Sequence, residues 1–204
     1  MNAKIGLFGG TFDPPHLGHL ITAQSLAEKL NLSKVIFIPS GVPPHKKNYP
    51  ITDHRHRLKM LQIAIEDNPI FEICTWELRQ KPPTYTIRSI DHFKNIYPAS
   101  ELFWIIGMDN LLDLPNWFQF EKLIESVNIV TAFRGGTNLD EILTNLKKEL
   151  SGDQFLKLRA NIIPTPQIEI SAKDIRDRAK EGKSLRYLVP PGVEDYIRIH
   201  GLYK

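Results

Sequence analysis

The stretch that most restricts the fold runs Gly6-Leu7-Phe8-Gly9-Gly10-Thr11-Phe12-Asp13-Pro14-Pro15-His16-Leu17-Gly18-His19-Leu20. An apolar run ending at Phe8 has the character of a buried strand. Gly9-Gly10 interrupts it, and the spacing of Leu17, Leu20, Ile21, Ala23, Leu26, Ala27 and Leu30 is helical. The unit is strand, glycine turn, helix. Adjacent glycines let backbone N–H groups come close to a ligand, and the first turn of the next helix presents unsatisfied N–H groups with a partial positive charge. His16 and His19 fall on one face of that turn, and Gly18 leaves room beside the backbone, so both imidazoles can donate to phosphate oxygens. A double glycine alone is more often a plain turn. Here it shares one short window with Thr11-Phe12-Asp13-Pro14-Pro15 and His16-Leu17-Gly18-His19, which favours a phosphate seat.

The alternation continues. Val35-Ile36-Phe37-Ile38-Pro39, Phe71 to Leu78, Glu101 to Gly107, Val127 to Phe133 and the short Ala160-Asn161-Ile162-Ile163 read as further strands. Between them fall helical segments. Asp53 caps one whose apolar stripe is Leu58, Met60, Leu61, Ala64 and Ile65; others cover about Tyr85 to Tyr97, Asp140 to Leu150 and Ala172 to Glu181. No internal repeat, low-complexity tract or linker divides the chain. Residues 1–204 therefore read as one α/β domain, a doubly wound parallel sheet with helices on both faces and a helical portion from about 168 onward. Such sheets bind ligands beyond the carboxyl ends of their strands, so the loops after Phe8, Pro39, Gly107 and Phe133 should face one cleft.

Composition narrows the partners. A net charge of +3 agrees with an anionic ligand and is too small to imply nucleic-acid binding. The lone Cys74 excludes an intrachain disulfide, suits a reducing, cytoplasmic compartment, and reads as a buried inert thiol in Phe71-Glu72-Ile73-Cys74. Neither a signal-peptide core nor an apolar run of membrane-spanning length is found, so no membrane partner is expected.

Several groups belong to the same expected cleft. Ser171 followed by Asp174 has the form of a capping box, which explains both residues but not Lys173. A cation in a first turn opposes the helix dipole by roughly 0.3–1 kcal/mol unless an anion is near. Lys173 and Arg176 thus suggest a second phosphate site, the alternative being Lys173 in solvent. Lys46 and Lys47, beside His45, are either a solvated basic loop or phosphate contacts at the sheet edge. Asp109, just past the fourth strand, either accepts from ribose hydroxyls or caps the next short helix. Arg134, before Gly135-Gly136, either meets a nucleotide or is an exposed loop arginine, and Arg79, Arg88 and His92 carry no assignment.

Gly9-Gly10-Thr11-Phe12-Asp13-Pro14-Pro15-His16-Leu17-Gly18-His19 resembles the signature of the HxGH nucleotidyltransferases, and its Asp-Pro-Pro-His form resembles the bacterial nicotinate mononucleotide adenylyltransferases. Ser171, Ile175 and Arg176 are similar to that family's carboxyl-terminal Ile-Ser-Ser/Thr-Thr-x-Ile-Arg motif, with Ala172 and Lys173 where hydroxyl residues are usual. Pro43-Pro44-His45-Lys46, Gly107-Met108-Asp109, Thr84-Tyr85-Thr86, Trp117 and the tail Tyr187 to Ile197 also resemble family segments, so the likeness runs nearly end to end. The resemblance implies a Rossmann-like fold and the joining of ATP to nicotinate mononucleotide, giving deamido-NAD and pyrophosphate. His16, His19, Lys46 and Arg176 would carry catalysis. ATP would be held by Gly9, Gly10, Thr11, Phe12, Gly18, Gly107, Asp109, Arg134, Ser171 and Lys173. The mononucleotide would be held by His45, Lys46, Thr84, Tyr85 and Trp117. Mg²⁺ would arrive with the triphosphate, because no acidic cluster offers a cage and two histidines lack a third ligand. Other adenylyl acceptors, such as nicotinamide mononucleotide or phosphopantetheine, and a non-catalytic nucleotide-binding protein are the alternatives. The sequence leaves open whether Asp140 to Leu150 is free surface or the interface of a homo-oligomer.

Overall fold

The computed structural model describes residues 2–41, 51–133, 135 and 139–204. Among the described residues six parallel strands form one sheet in the order β3-β2-β1-β4-β5-β6. They are β1 (Lys4–Gly10), β2 (Lys34–Pro39), β3 (Phe71–Ile73), β4 (Glu101–Gly107), β5 (Asn128–Phe133) and β6 (Ile162–Pro164). The helices are α1 (Leu17–Leu30), α2 (His54–Ile65), α3 (Thr86–Ile96), α4 (Met108–Asp113), α5 (Phe120–Ser126), α6 (Leu139–Glu149), α7 (Gly152–Ala160), α8 (Ala172–Lys180) and α9 (Pro191–Ile199). Sequence order reverses between β1 and β4. That is the switch point of a doubly wound sheet, where a crevice opens at the carboxyl ends.

Strand parity explains why both faces are covered. Ile5, Leu7, Ile36, Ile38, Leu102, Trp104 and Ile106 point to one side and pack with α3 to α7; Phe8, Val35, Phe37, Phe103, Ile105 and Val130 point to the other and pack with α1 and α2. A third cluster joins Met60 of α2 to Ile175 of α8 and Val193 and Ile197 of α9. Burying each large apolar side chain contributes about 1.5–3 kcal/mol. Helix α2, with Leu61 in one cluster and Met60 in another, holds the carboxyl-terminal helices against the sheet.

Three expectations need correction. Gly9-Gly10 does not break the first strand: both residues pair in register, with Ile38 and Pro39 of β2, and neither has a positive φ. They are glycines for lack of space, since a Cβ would lie 2.8 Å from the Trp104 ring at Gly9 and 2.8 Å from the Phe12 ring at Gly10. The third strand stops at Ile73 instead of reaching Leu78, and Glu77–Arg79 form a short 3₁₀ turn. Two contacts with α3 draw the chain off the sheet edge: Trp76 stacks on His92 (4.5 Å between ring centroids), and Ser89 donates to Glu77 (2.5 Å). Cys74, expected to be buried, is half-buried against the core.

Candidate active site at the carboxyl edge of the central strands

After β1 the chain turns at Phe12, whose φ of 50° is left-handed, and its ring folds back into the core beneath Gly10. Phe12 also stands edge-on to His19 (5.1 Å between centroids), so any contact with a ligand falls to its backbone. His16 is the extended N-cap of α1 and His19 its third residue; their rings stack 3.7 Å apart. The His16 N–H donates to His19 Nδ1 (3.2 Å), which leaves that nitrogen as acceptor and puts the proton of neutral His19 on Nε2. Gly18 is fitted against this pair, for a Cβ there would be 3.0 Å from His16 Nδ1. Not every first-turn amide is left for a phosphate. The Leu17 N–H donates to the Leu188 carbonyl (2.9 Å) and the His19 N–H to the His16 carbonyl (2.9 Å).

Beneath the histidines lies a polar network that the sequence reading missed. Arg57 of α2 is buried and donates to three backbone carbonyls: Thr11 (2.7 Å), Ser40 (3.0 Å) and Thr52 (3.0 Å). Thr11 follows β1, Ser40 follows β2 and Thr52 precedes α2, so one guanidinium ties together the loops around the switch point. Burial pushes its pKa down, and the nearby Asp13 carboxylate opposes that shift. Asp13, itself buried, accepts from the Thr52 N–H (3.1 Å) and from the Tyr203 hydroxyl (2.7 Å). Its backbone carbonyl accepts from Arg176 Nη1 (2.7 Å).

Arg176 thus reaches the loop that carries the histidines, and Ile170 lies beside Gly18, 3.7 Å from its carbonyl to a Cβ built there. The capping reading of the second segment holds: Ser171 Oγ accepts from the Asp174 N–H (3.1 Å). Lys173 lies along the exposed side of α8 and pairs with Asp177 (2.8 Å). Gly107 is the N-cap of α4 and faces open space; Asp109 is exposed in that helix's first turn rather than capping it. Thr84 and Tyr85 approach the site from two neighbours. Thr84 Oγ1 is 3.9 Å from a Cβ built at Gly41, after β2, and the Tyr85 ring packs on Phe118 (4.5 Å), next to half-buried Trp117. Arg88 lies over the Tyr85 ring at 5.8 Å. His45, Lys46, Lys47 and Arg134 lie outside the described residues.

Glu77 adds a buried carboxyl close by, its backbone carbonyl 3.2 Å from a Cβ built at Gly41. Burial pushes it up to about 7, against the opposing pull of the Ser89 hydroxyl. Among the described residues no group of three or more His, Cys, Asp or Glu is arranged to hold a metal ion. A cavity of about 470 Å³, lined by Lys94, Glu101, Glu125 and Lys157 among others, opens at the opposite edge of β4 and away from these groups. No described helix is long and apolar enough to cross a membrane.

Residues 7–178 match the family model described as cytidylyltransferase-like. The "Probable nicotinate-nucleotide adenylyltransferase" of Thermomicrobium roseum is 42% identical over 202 residues, 99% of this chain and 92% of that protein. Its counterpart in Thermoanaerobacter sp. is 40% identical over 205 residues, covering 98% and 94%. Among solved structures, Plasmodium falciparum nicotinic acid mononucleotide adenylyltransferase complexed with APC superposes with a TM-score of 0.75 at 19% identity, over 99% of this chain and 98% of that one. The same enzyme complexed with NaAD gives 0.74 at 20% identity, again over 99% and 98%; at these identities the agreement is one of fold.

Proposed function

The chain belongs to the cytidylyltransferase-like family and, within it, to the nicotinate-nucleotide adenylyltransferases, and we propose from that premise that it joins ATP to nicotinate mononucleotide, giving deamido-NAD and pyrophosphate. In this reading residues 1–204 act as one nucleotidyltransferase domain. A phosphate oxygen of the mononucleotide attacks the α-phosphorus of ATP, forming one P–O bond. The bond to the bridging oxygen breaks, and pyrophosphate leaves with the electron pair. The attacking phosphate is already anionic, so the protein needs no strong base; its task is to align the two nucleotides and offset charge on the phosphoryl oxygens. His19 donates from Nε2, His16 stacks beside it, and Arg176 approaches from α8. Lys46 adds a further cation by its place in the sequence. Gly9, Gly10, Thr11, Gly18 and the Ser171 segment serve the triphosphate and Gly107 and Asp109 the ribose, and Arg134 is assigned to the nucleotide end of ATP by its place in the sequence. Backbone amides of the Thr84–Tyr85 segment receive the nicotinate carboxylate and Trp117 stacks on the pyridine ring, with His45 assigned to the mononucleotide by its place in the sequence. Mg²⁺ comes as part of the ATP substrate, bound chiefly through the triphosphate oxygens. A reaction drawing on these nucleotides belongs in the cytoplasm, which suits the lone free cysteine.

The observation that carries the reading is the His16–His19 stack at the start of α1 with Arg176 hydrogen-bonded to the loop before it. The test is a panel of acceptors with ATP and Mg²⁺, following pyrophosphate release and the dinucleotide formed. Deamido-NAD from nicotinate mononucleotide is the expected product. Binding of ATP without turnover of that acceptor, or preferred turnover of another, would overturn it.

A further inference from the structure

We infer that Tyr203 is a positioning residue for the triphosphate half of the site, acting through Asp13 on Arg176; the inference rests on the proposed binding of ATP there. After α9, Leu202 donates its N–H to the Ile197 carbonyl (3.0 Å), and positive φ at Gly201 (58°) and Tyr203 (66°) turns the chain back toward β1. A left-handed backbone is unfavourable for an aromatic residue and persists only where surrounding contacts hold it. Here Tyr203 donates its hydroxyl to Asp13 Oδ1 (2.7 Å), the carboxylate whose other oxygen accepts from Thr52. Burial and the Asp13 charge push the phenol well above its ordinary range, so it remains a donor at any working pH.

The peptide carbonyl that Arg176 grips belongs to the same Asp13. Arg176 lies close enough to the phenol for its charge to act on it. If the hydroxyl is removed, a buried carboxylate loses a charge-assisted bond; of the donors beside it the Thr52 hydroxyl, which also bonds the phenol, is neutral, whereas half-buried Arg176 brings the charge that a carboxylate favours. Arg176 then turns from the Asp13 carbonyl to its carboxylate, away from the triphosphate. Arg57, held by its three carbonyls, is not free to make that exchange.

The test is Tyr203→Phe in the wild-type and Arg176→Ala backgrounds. It reads the Kd of a non-hydrolysable ATP analogue with Mg²⁺, the KM for each substrate and the thermal midpoint. Losing one hydrogen bond to a charged group should weaken analogue binding about tenfold, with the acceptor KM within about twofold, and should add nothing once Arg176 is gone. Asp13→Asn removes the charge that would draw Arg176 away while keeping the backbone carbonyl it grips, so in that background, which also spares a poorly folding Tyr203→Phe its unpaired carboxylate, Tyr203→Phe should leave analogue binding unchanged. The exposed Tyr187→Phe should change none of these measurements. Unchanged analogue binding in the wild-type background, or a tenfold loss in the Arg176→Ala or Asp13→Asn background as well, would overturn the inference. A wild-type protein that binds no ATP analogue would instead overturn the proposed function on which it rests.

Discussion

Replacing Arg57 by leucine is the most informative single perturbation of stability. It removes the donors to Thr11, Ser40 and Thr52 and the positive charge facing Asp13. Hydrogen bonds involving a charged group are each worth about 1.5–3 kcal/mol, so three amount to roughly 5–9 kcal/mol. Several kcal/mol of that is returned, because leucine avoids the cost of desolvating a guanidinium. The net loss should be about 3–5 kcal/mol, the range found when one side of a buried charged network is deleted. Domains have only about 5–15 kcal/mol to lose. With a urea dependence near 2–3 kcal/mol per molar, the unfolding midpoint should fall by about 1–2 M. Arg57→Lys keeps the charge but cannot span three carbonyls, and should lie roughly midway. Urea titrations followed by circular dichroism and by tryptophan fluorescence give the midpoints. A leucine variant unfolding at the wild-type midpoint would refute the reasoning, as would full additivity with Asp13→Asn, since groups in one network should couple by about 0.5–3 kcal/mol.

His19→Ala should lower kcat about 10²–10³-fold, the effect of one preorganised donor, in a pyrophosphate-release assay; near-normal turnover would remove His19 from the mechanism. Gly18→Ala puts a Cβ 3.0 Å from His16 Nδ1 and so should cost at least about tenfold in kcat, while the thermal midpoint holds or rises slightly on the gain in helix propensity. For Glu77 the folded chain holds its proton more tightly than the unfolded one, with a pKa of about 7 against an ordinary 4.5. Its stabilising contribution is therefore complete below about pH 4.5 and is lost as pH rises through about 7; Glu77→Gln should be more stable than wild type by up to about 3 kcal/mol at pH 8, read by denaturant unfolding across pH. Trp117→Ala should raise the KM for nicotinate mononucleotide and leave that for ATP unchanged, in the same release assay.

Residues whose meaning is local were legible in the sequence. The strand-to-helix change at residues 9–17 and the spacing of His16 and His19 mark the candidate site, and strand–helix alternation implies the parallel sheet without fixing its strand order. Ser171 with Asp174 announced its cap and formed it. Arg57 stands beside His54, Arg55 and His56, and a fourth basic residue in such company gives no sign of burial. Yet it falls in helical step with Met60, Leu61 and Ala64, and a charged residue in an apolar stripe was the available signal. Phe12 was assigned to the ligand because of the motif around it, whereas its ring fills the core. Tyr203 carried no local signal at all; its role depends on a contact with Asp13 across 190 positions.

That span has a consequence for assembly. A network made by bonds from residue 13 to residues 52, 176 and 203 cannot exist in a chain whose early segments alone have ordered. Contacts so distant along the polypeptide form late, because much of the chain must be confined before they can be made. During refolding, recovery of ATP binding should therefore trail the return of helical signal, and half-formed molecules would be spared from holding a triphosphate before its acceptor can be received.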